Sequence, residues 1–132
     1  MNDDAATTVS IFQDFLRFCV ERFYLLCEAI ESVAVRPVRI FYPSSIYVES
    51  RPKGMTEYAM AKAAGEVLIS DLNAKSSKVH VISSRLPRMG SDQTNTIVSG
   101  TDEADSSAIM LAIIRSMWPM ESGNFSQAYS DR

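Results

Sequence analysis

Glycine is scarce in this sequence, and its placement excludes more than its scarcity does. The five glycines, Gly54, Gly65, Gly90, Gly100 and Gly123, form neither a Gly-x-x-Gly-x-Gly nor a Gly-x-Gly-x-x-Gly spacing. A Gly-rich turn that cradles phosphate on its backbone amides is therefore absent from these 132 residues. Two cysteines and one histidine are too few for a structural zinc site. Cys19 and Cys27 fall in one predicted helix, roughly 12 Å apart at the helical rise. That is beyond the roughly 7 Å between Cα atoms that a disulfide tolerates.

Long apolar runs are missing too. The longest, residues 108–114, falls far short of the roughly 20 residues that cross a bilayer. The N-terminus, MNDDAATTVS, has acidic residues where a secretory leader carries positive charge. These features predict a cytoplasmic protein with no membrane partner. A basic surplus is also lacking: 13 Lys and Arg stand against 16 Asp and Glu, for a net charge of −3. No electrostatic footprint for nucleic acid follows.

What is present is an ordinary globular composition, 46% apolar and 22% charged, in a length that suits one modest domain with a real core. Residues 1–9 are polar and are expected to be a flexible start. Ser10 and Gln13 resemble a capping box, with Asp14 in the first turn. A helix is therefore predicted over residues 10–31, with an apolar sector wider than one packing face needs. Such a helix is buried on two sides, by its own domain or by a partner. Pro37 breaks it, and residues 38–42 are β-branched and aromatic enough for a strand.

Pro52 and Gly54 mark residues 49–54 as a loop. Thr56 is a cap candidate for a helix to about Asn73, and residues 78–83 read as a second strand. Residues 85–100 form a long polar loop of the kind that binds ligands or closes over them. A last helix over residues 107–118, capped by Asp105 or Ser106, stops at Pro119. The polar segment 119–132 is expected to be a flexible tail. Helix, strand, loop, helix, strand is the grammar of parallel α/β units.

The chemistry-bearing residues cluster in residues 36–62, PVRIFYPSSIYVESRPKGMTEYAMAK from Pro37 onward. Ser44 and Ser45 end the first strand, and Tyr58 and Lys62 open the next helix. At i and i+4 the last two are about 40° apart in azimuth and one turn apart in height. An ammonium beside a phenol favours phenolate, so Lys62 is expected to lower the Tyr58 pKa and make it a general acid or base. Ser45 is placed to hydrogen-bond a substrate oxygen and to stabilise charge developing there. With five tyrosines and four lysines, a Tyr-x-x-x-Lys pair arises by chance in roughly one chain in seven, so its weight comes from this strand-and-helix context.

The segments FYPSSIYV, EYAMAKAAGE and VHVISSRLPRMG together resemble the catalytic half of the short-chain dehydrogenase/reductase family, nearer its extended epimerase/dehydratase and reductase branch. The resemblance spans residues 11–118. It implies an α/β, partial Rossmann-like fold, the C-terminal half of a doubly wound parallel sheet whose Gly-rich N-terminal half is missing here. Residues 10–118 would then be a partial NAD(P)-binding catalytic segment. The cofactor would be NAD or NADP, in the context of a complete fold, and the substrate a small carbonyl or hydroxyl compound.

By position, the resemblance makes Tyr58 the acid/base. Lys62 becomes the residue that holds the nicotinamide ribose and tunes the tyrosine. Ser45 binds the substrate oxygen, with Ser44 the alternative, and Pro87 is a cofactor contact. Thr94 is a weaker candidate in the following loop. Compact members place an asparagine on the preceding helix, whereas residues 15–22 contain none. The helix before the serine strand and the one bearing Tyr58 form the family's usual dimer interface, so a homodimer, or docking onto a separate Gly-rich half, is implied. The other class of function the sequence allows is a non-catalytic remnant that serves as an interaction module.

The remaining candidates are weaker. His80 alternates with valines and reads as structural. Asp102, Glu103 and Asp105 read as charge before a helix rather than as a metal site. Met110, Met117, Met120 and Trp118 suit core or interface filling. Arg85 and Arg88 read either as surface residues or as partners of an anionic substrate or cofactor phosphate.

Overall fold

A computed structural model describes residues 3–88 and 106–118. In chain order the elements are α1 (Asp3–Leu16), a π-helical turn (Arg17–Glu21), α2 (Arg22–Val33), β1 (Val38–Ser45), α3 (Tyr47–Ser50), α4 (Thr56–Lys75), β2 (Val79–Leu86) and α5 (Ser106–Met117). The class is mixed α/β. The strands β1 and β2 are parallel, with Val38 opposite Val79 and Ser45 opposite Leu86. A parallel pair needs a crossover connection, and α3 and α4 supply it.

The first helix begins at Asp3, not near Ser10. Thr7, Thr8, Val9 and Ser10 are all exposed, so no buried stripe marks the true start, and the capping-box residues lie inside the helix. β1 continues past the β-branched run 38–42 to the paired serines expected to end it, and β2 runs past its expected end at Ser83 to Leu86. Pro43, which has no N–H, sits within β1 opposite Ser84. An edge strand tolerates this because the missing donor need not face a neighbour.

The core lies between the sheet and helices α2 and α4. Cys27, Tyr42, Ile69, Leu72, Val79 and Val81 are buried together, with Phe23, Ile30, Ile40 and Leu68 packed around them. The Phe23 and Tyr42 rings meet edge-on at 4.8 Å, a favoured aromatic geometry. Tyr42 reaches under α4, where Gly65 makes room: a Cβ there would overlap the Tyr42 hydroxyl and ring. That hydroxyl donates to the Cys19 carbonyl in the π-turn at 3.1 Å. One side chain thus ties β1, α4 and the π-turn together. Cys19 and Cys27 are both free and buried.

Two polar devices fix the start and the open edge of the sheet. The Glu31 carboxylate, at the end of α2, accepts hydrogen bonds from the hydroxyls of Ser76 and Ser77. It also accepts the backbone N–H groups of Ser77, Lys78 and Val79, at 3.2, 3.2 and 2.9 Å. These donors hold its pKa down at about 2, because each favours the ionised form. On β2, the Asn73 amide accepts the Val81 N–H at 2.7 Å and donates to the Val81 carbonyl at 2.8 Å. It stands in for a neighbouring strand and blunts that edge.

Helix α5 packs on β1, where the Arg39 guanidinium donates to the carbonyl of Met117 at 2.7 Å. A cation at a helix C-terminus satisfies a carbonyl that the helix itself leaves free. Ile113 is the buried residue of α5, whereas Met110 and Trp118 are exposed, which leaves the interface alternative for those two and not the core. Among the described residues, no helix is long and apolar enough to cross a membrane. Residues 89–105 and 119–132, including Gly90, Thr94, Asp102, Glu103, Asp105 and Met120, lie outside the described residues.

Candidate functional site

The last residues of β1 and β2 open onto a cavity of about 440 Å³, lined among others by Ser44, Ser45, Tyr58, Lys62, Leu86 and Pro87. Open parallel sheets bind ligands at this end, beyond the carboxyl ends of their strands. Ser45, Tyr58, Lys62 and Pro87, spread over three elements of the sequence, therefore line a single space. The parallel register that sets Ser45 beside Leu86 brings Pro87 to it, and the first turns of α4 deliver Tyr58 and Lys62.

The two serines are distinguished by their partners. Ser44 is 3% exposed and donates its hydroxyl to Glu66 at 2.6 Å. Glu66 also accepts from Arg85, through Nε at 2.9 Å and Nη2 at 2.8 Å, and Arg85 Nη1 lies 3.6 Å from Glu49. Ser44 is thus committed to a network that binds α3, α4 and β2. Ser45 instead accepts the Tyr47 N–H at 3.1 Å and lies beside the Tyr58 phenol, whose pKa it draws down. Of the pair, Ser45 is the hydroxyl presented to Tyr58.

Tyr58 is held by aromatic edges. The Phe15 ring meets it at 5.4 Å and the Tyr47 ring at 6.2 Å, both steeply inclined. Lys62 is buried, with its Nζ 2.6 Å from the Pro43 carbonyl and over the Tyr42 and Tyr58 rings at 5.0 and 5.6 Å from their centroids. The ammonium therefore faces a carbonyl and ring faces.

This geometry corrects one expectation. The Tyr58 pKa is raised in this structure, not lowered: burial raises it, and the nearby Cys19 thiol adds to the rise, outweighing the Ser45 hydroxyl that acts the other way. Burial also lowers the Lys62 pKa, since a desolvated ammonium loses its hydration. The i and i+4 spacing brings the two side chains close, but the shared burial penalises both charged forms. Tyr58 is accordingly a neutral phenol at neutral pH, able to donate its proton.

Sequence reasoning missed Phe15, Cys19, Tyr47, Met55 and Glu66 as neighbours of the site. Glu66 carried a signal, being four residues after Lys62 on α4 and so on the same face. Cys19 sits in the π-turn, which no residue pattern announces. His80 is exposed on β2 and is not among the residues that line the cavity. Among the described residues, no group of three or more His, Cys, Asp or Glu could hold a metal. No protein-family model matches this chain, and no curated protein or solved structure matches it significantly.

Proposed function

We propose that this chain is the catalytic segment of an NAD(P)-dependent oxidoreductase or epimerase of the short-chain dehydrogenase/reductase type, Rossmann-like in fold and acting on a carbonyl or hydroxyl compound. The observation that carries the reading is that Ser45, Tyr58, Lys62 and Pro87 line one cavity. The residues suit the nicotinamide and ribose end of the cofactor: Pro87 offers an apolar surface, and Lys62 a cation close to Tyr58. The pyrophosphate end finds no Gly-rich turn in this sequence, so the reading assigns it to a Gly-rich half outside these residues. When bound, NAD(P)H supplies the hydride.

The chain's own residues manage the oxygen. Ser45 hydrogen-bonds the substrate carbonyl and fixes its direction. Tyr58, kept protonated by its burial, gives its proton to that oxygen as negative charge develops there. Lys62 stabilises the resulting phenolate, an interaction that strengthens in the transition state and so accelerates the step. In the reverse direction the same phenol accepts a proton from a hydroxyl. With the Gly-rich half supplied, Tyr58→Phe is expected to abolish most carbonyl reduction, and Ser45→Ala to impair it far more than Ser44→Ala. Full turnover after Tyr58→Phe would end this assignment.

A second reading, a non-catalytic module that self-associates, is favoured by a different observation. On α1, the π-turn and α2, Ile11, Phe18 and Leu25 recur every seventh residue and are exposed, and so do Met60 and Val67 on α4. Phe18 is 60% and Val67 72% exposed. Spacing of seven puts Met60 and Val67 on one face of α4, while the π-turn rotates Leu25 away from Ile11; exposed apolar residues of this kind mark interaction surfaces. Light scattering on the eluting protein separates the cases: a monomer at high concentration removes this second reading and leaves the first untouched.

A further inference from the structure

The structure separates two arginines that the sequence leaves equivalent. Arg85 is committed: its guanidinium is shared between Glu66 and Glu49. Arg88, three residues on, is exposed, lines the cavity, and has no carboxylate partner among the described residues. Among the described residues, the cavity wall contains two cations, Lys62 and Arg88, and no Asp or Glu. Lys62 is buried and tied to the Pro43 carbonyl, so Arg88 is the exposed cation of the wall. The loop that brings Met55 to the cavity adds Arg51 and Lys53, both exposed.

Tyr47, Met55, Leu86 and Pro87 give the same wall its apolar surface. A ligand in this cavity thus meets hydrogen-bonding groups, apolar surface and a guanidinium. Guanidinium binds carboxylate and phosphate oxygens through paired N–H donors. A cationic ligand would meet like charge with no compensating acid among the described lining residues.

We propose that this cavity takes a ligand with an apolar or aromatic body and an anionic group, carboxylate or phosphate, that Arg88 holds. The proposal rests on the functional reading above only for the identity of the other end. The anionic group belongs either to the substrate or to the ribose phosphate on the nicotinamide side of the cofactor, and the test distinguishes them.

Titrations of the isotope-labelled full chain followed by NMR would use two matched pairs. One is 4-(hydroxymethyl)benzoate against benzyl alcohol; the other is nicotinamide mononucleotide against nicotinamide riboside. In at least one pair the anionic member is expected to bind roughly ten-fold more tightly, the scale of one charge-assisted contact. Arg88→Ala should reduce that preference below about two-fold while leaving the affinity of the neutral-ended member unchanged. Arg88→Lys should restore part of it as a point charge, and Arg85→Ala should leave it in place.

A preference in the benzoate pair assigns the anion to the substrate; one in the nucleotide pair assigns it to the cofactor. Equal affinities within both pairs would overturn the proposal, as would a preference that survives Arg88→Ala. None of these readings uses proton transfer. A Tyr58→Phe variant with unaltered turnover would therefore sink the oxidoreductase reading without touching this one.

Discussion

The two ends of the parallel sheet treat their ionisable groups in opposite ways. Where the strands begin, Glu31 is surrounded by donors from residues 76–79 and its pKa is held at about 2. Where they end, burial pushes the Tyr58 and Lys62 pKa values against their charged forms. One end satisfies a charge fully and gains rigidity. The other leaves a phenol and an ammonium short of solvation, beside an open cavity. Displaced proton affinities beside a cavity are a feature of sites that do chemistry, although structural networks also produce them.

Tyr58→Phe separates the two ends most sharply. Removing a positioned acid is expected to lower turnover by roughly 10²–10⁴-fold while the thermal unfolding midpoint barely moves. If the midpoint falls with activity, the phenol serves structure and the contrast between the ends collapses. Gly65→Ala should act in the opposite sense, on stability first. Its methyl overlaps the Tyr42 hydroxyl, and Tyr42 is 2% exposed, with little room to yield. Overpacking of this kind costs about 1–3 kcal/mol, which urea unfolding would register as a lower midpoint.

Glu31→Gln tests the opposite end. The carboxylate pKa lies below its usual value of 4.5, so its stabilising effect is complete above that value and disappears as pH falls through about 2. Melting at neutral pH should therefore show the variant less stable than the parent, and the gap should close in strong acid. A gap that is constant with pH would mean that the charge contributes nothing. Glu66→Gln should have the smallest effect on stability. Its bonds to Arg85 are partly exposed, and such pairs contribute about 0–1 kcal/mol. It also leaves Ser44 only a neutral amide oxygen to donate to, and if turnover then depends on Ser44 as much as on Ser45, the network selects the working serine.

Much of this was legible in the residues. Pro37, Pro52 and Gly54 separate the elements, and the β-branched runs at residues 38–42 and 79–82 place the strands. The spacing of Tyr58 and Lys62 locates them on one helix face, and the structure sets them, with Ser45 and Pro87, around a common cavity. What stayed hidden depends on contacts between distant residues. The onset of α1 at Asp3 has no buried stripe to reveal it. The π-turn arises where Cys19 meets Tyr42 from β1. The direction of the Tyr58 shift needed the extent of burial, which a four-residue spacing does not carry. Ser44 and Ser45 look alike until Glu66 claims one of them.

The central claim is that the carboxyl end of the sheet is one site, built to receive a nicotinamide and a carbonyl oxygen. NMR titration of the full chain with NADH, repeated on Lys62→Met, tests it most directly. The account predicts shifts concentrated at Ser45, Tyr58, Lys62 and Pro87 that the variant loses while its spectrum otherwise remains folded. Shifts confined to residues elsewhere, or no shifts at millimolar NADH, would contradict it.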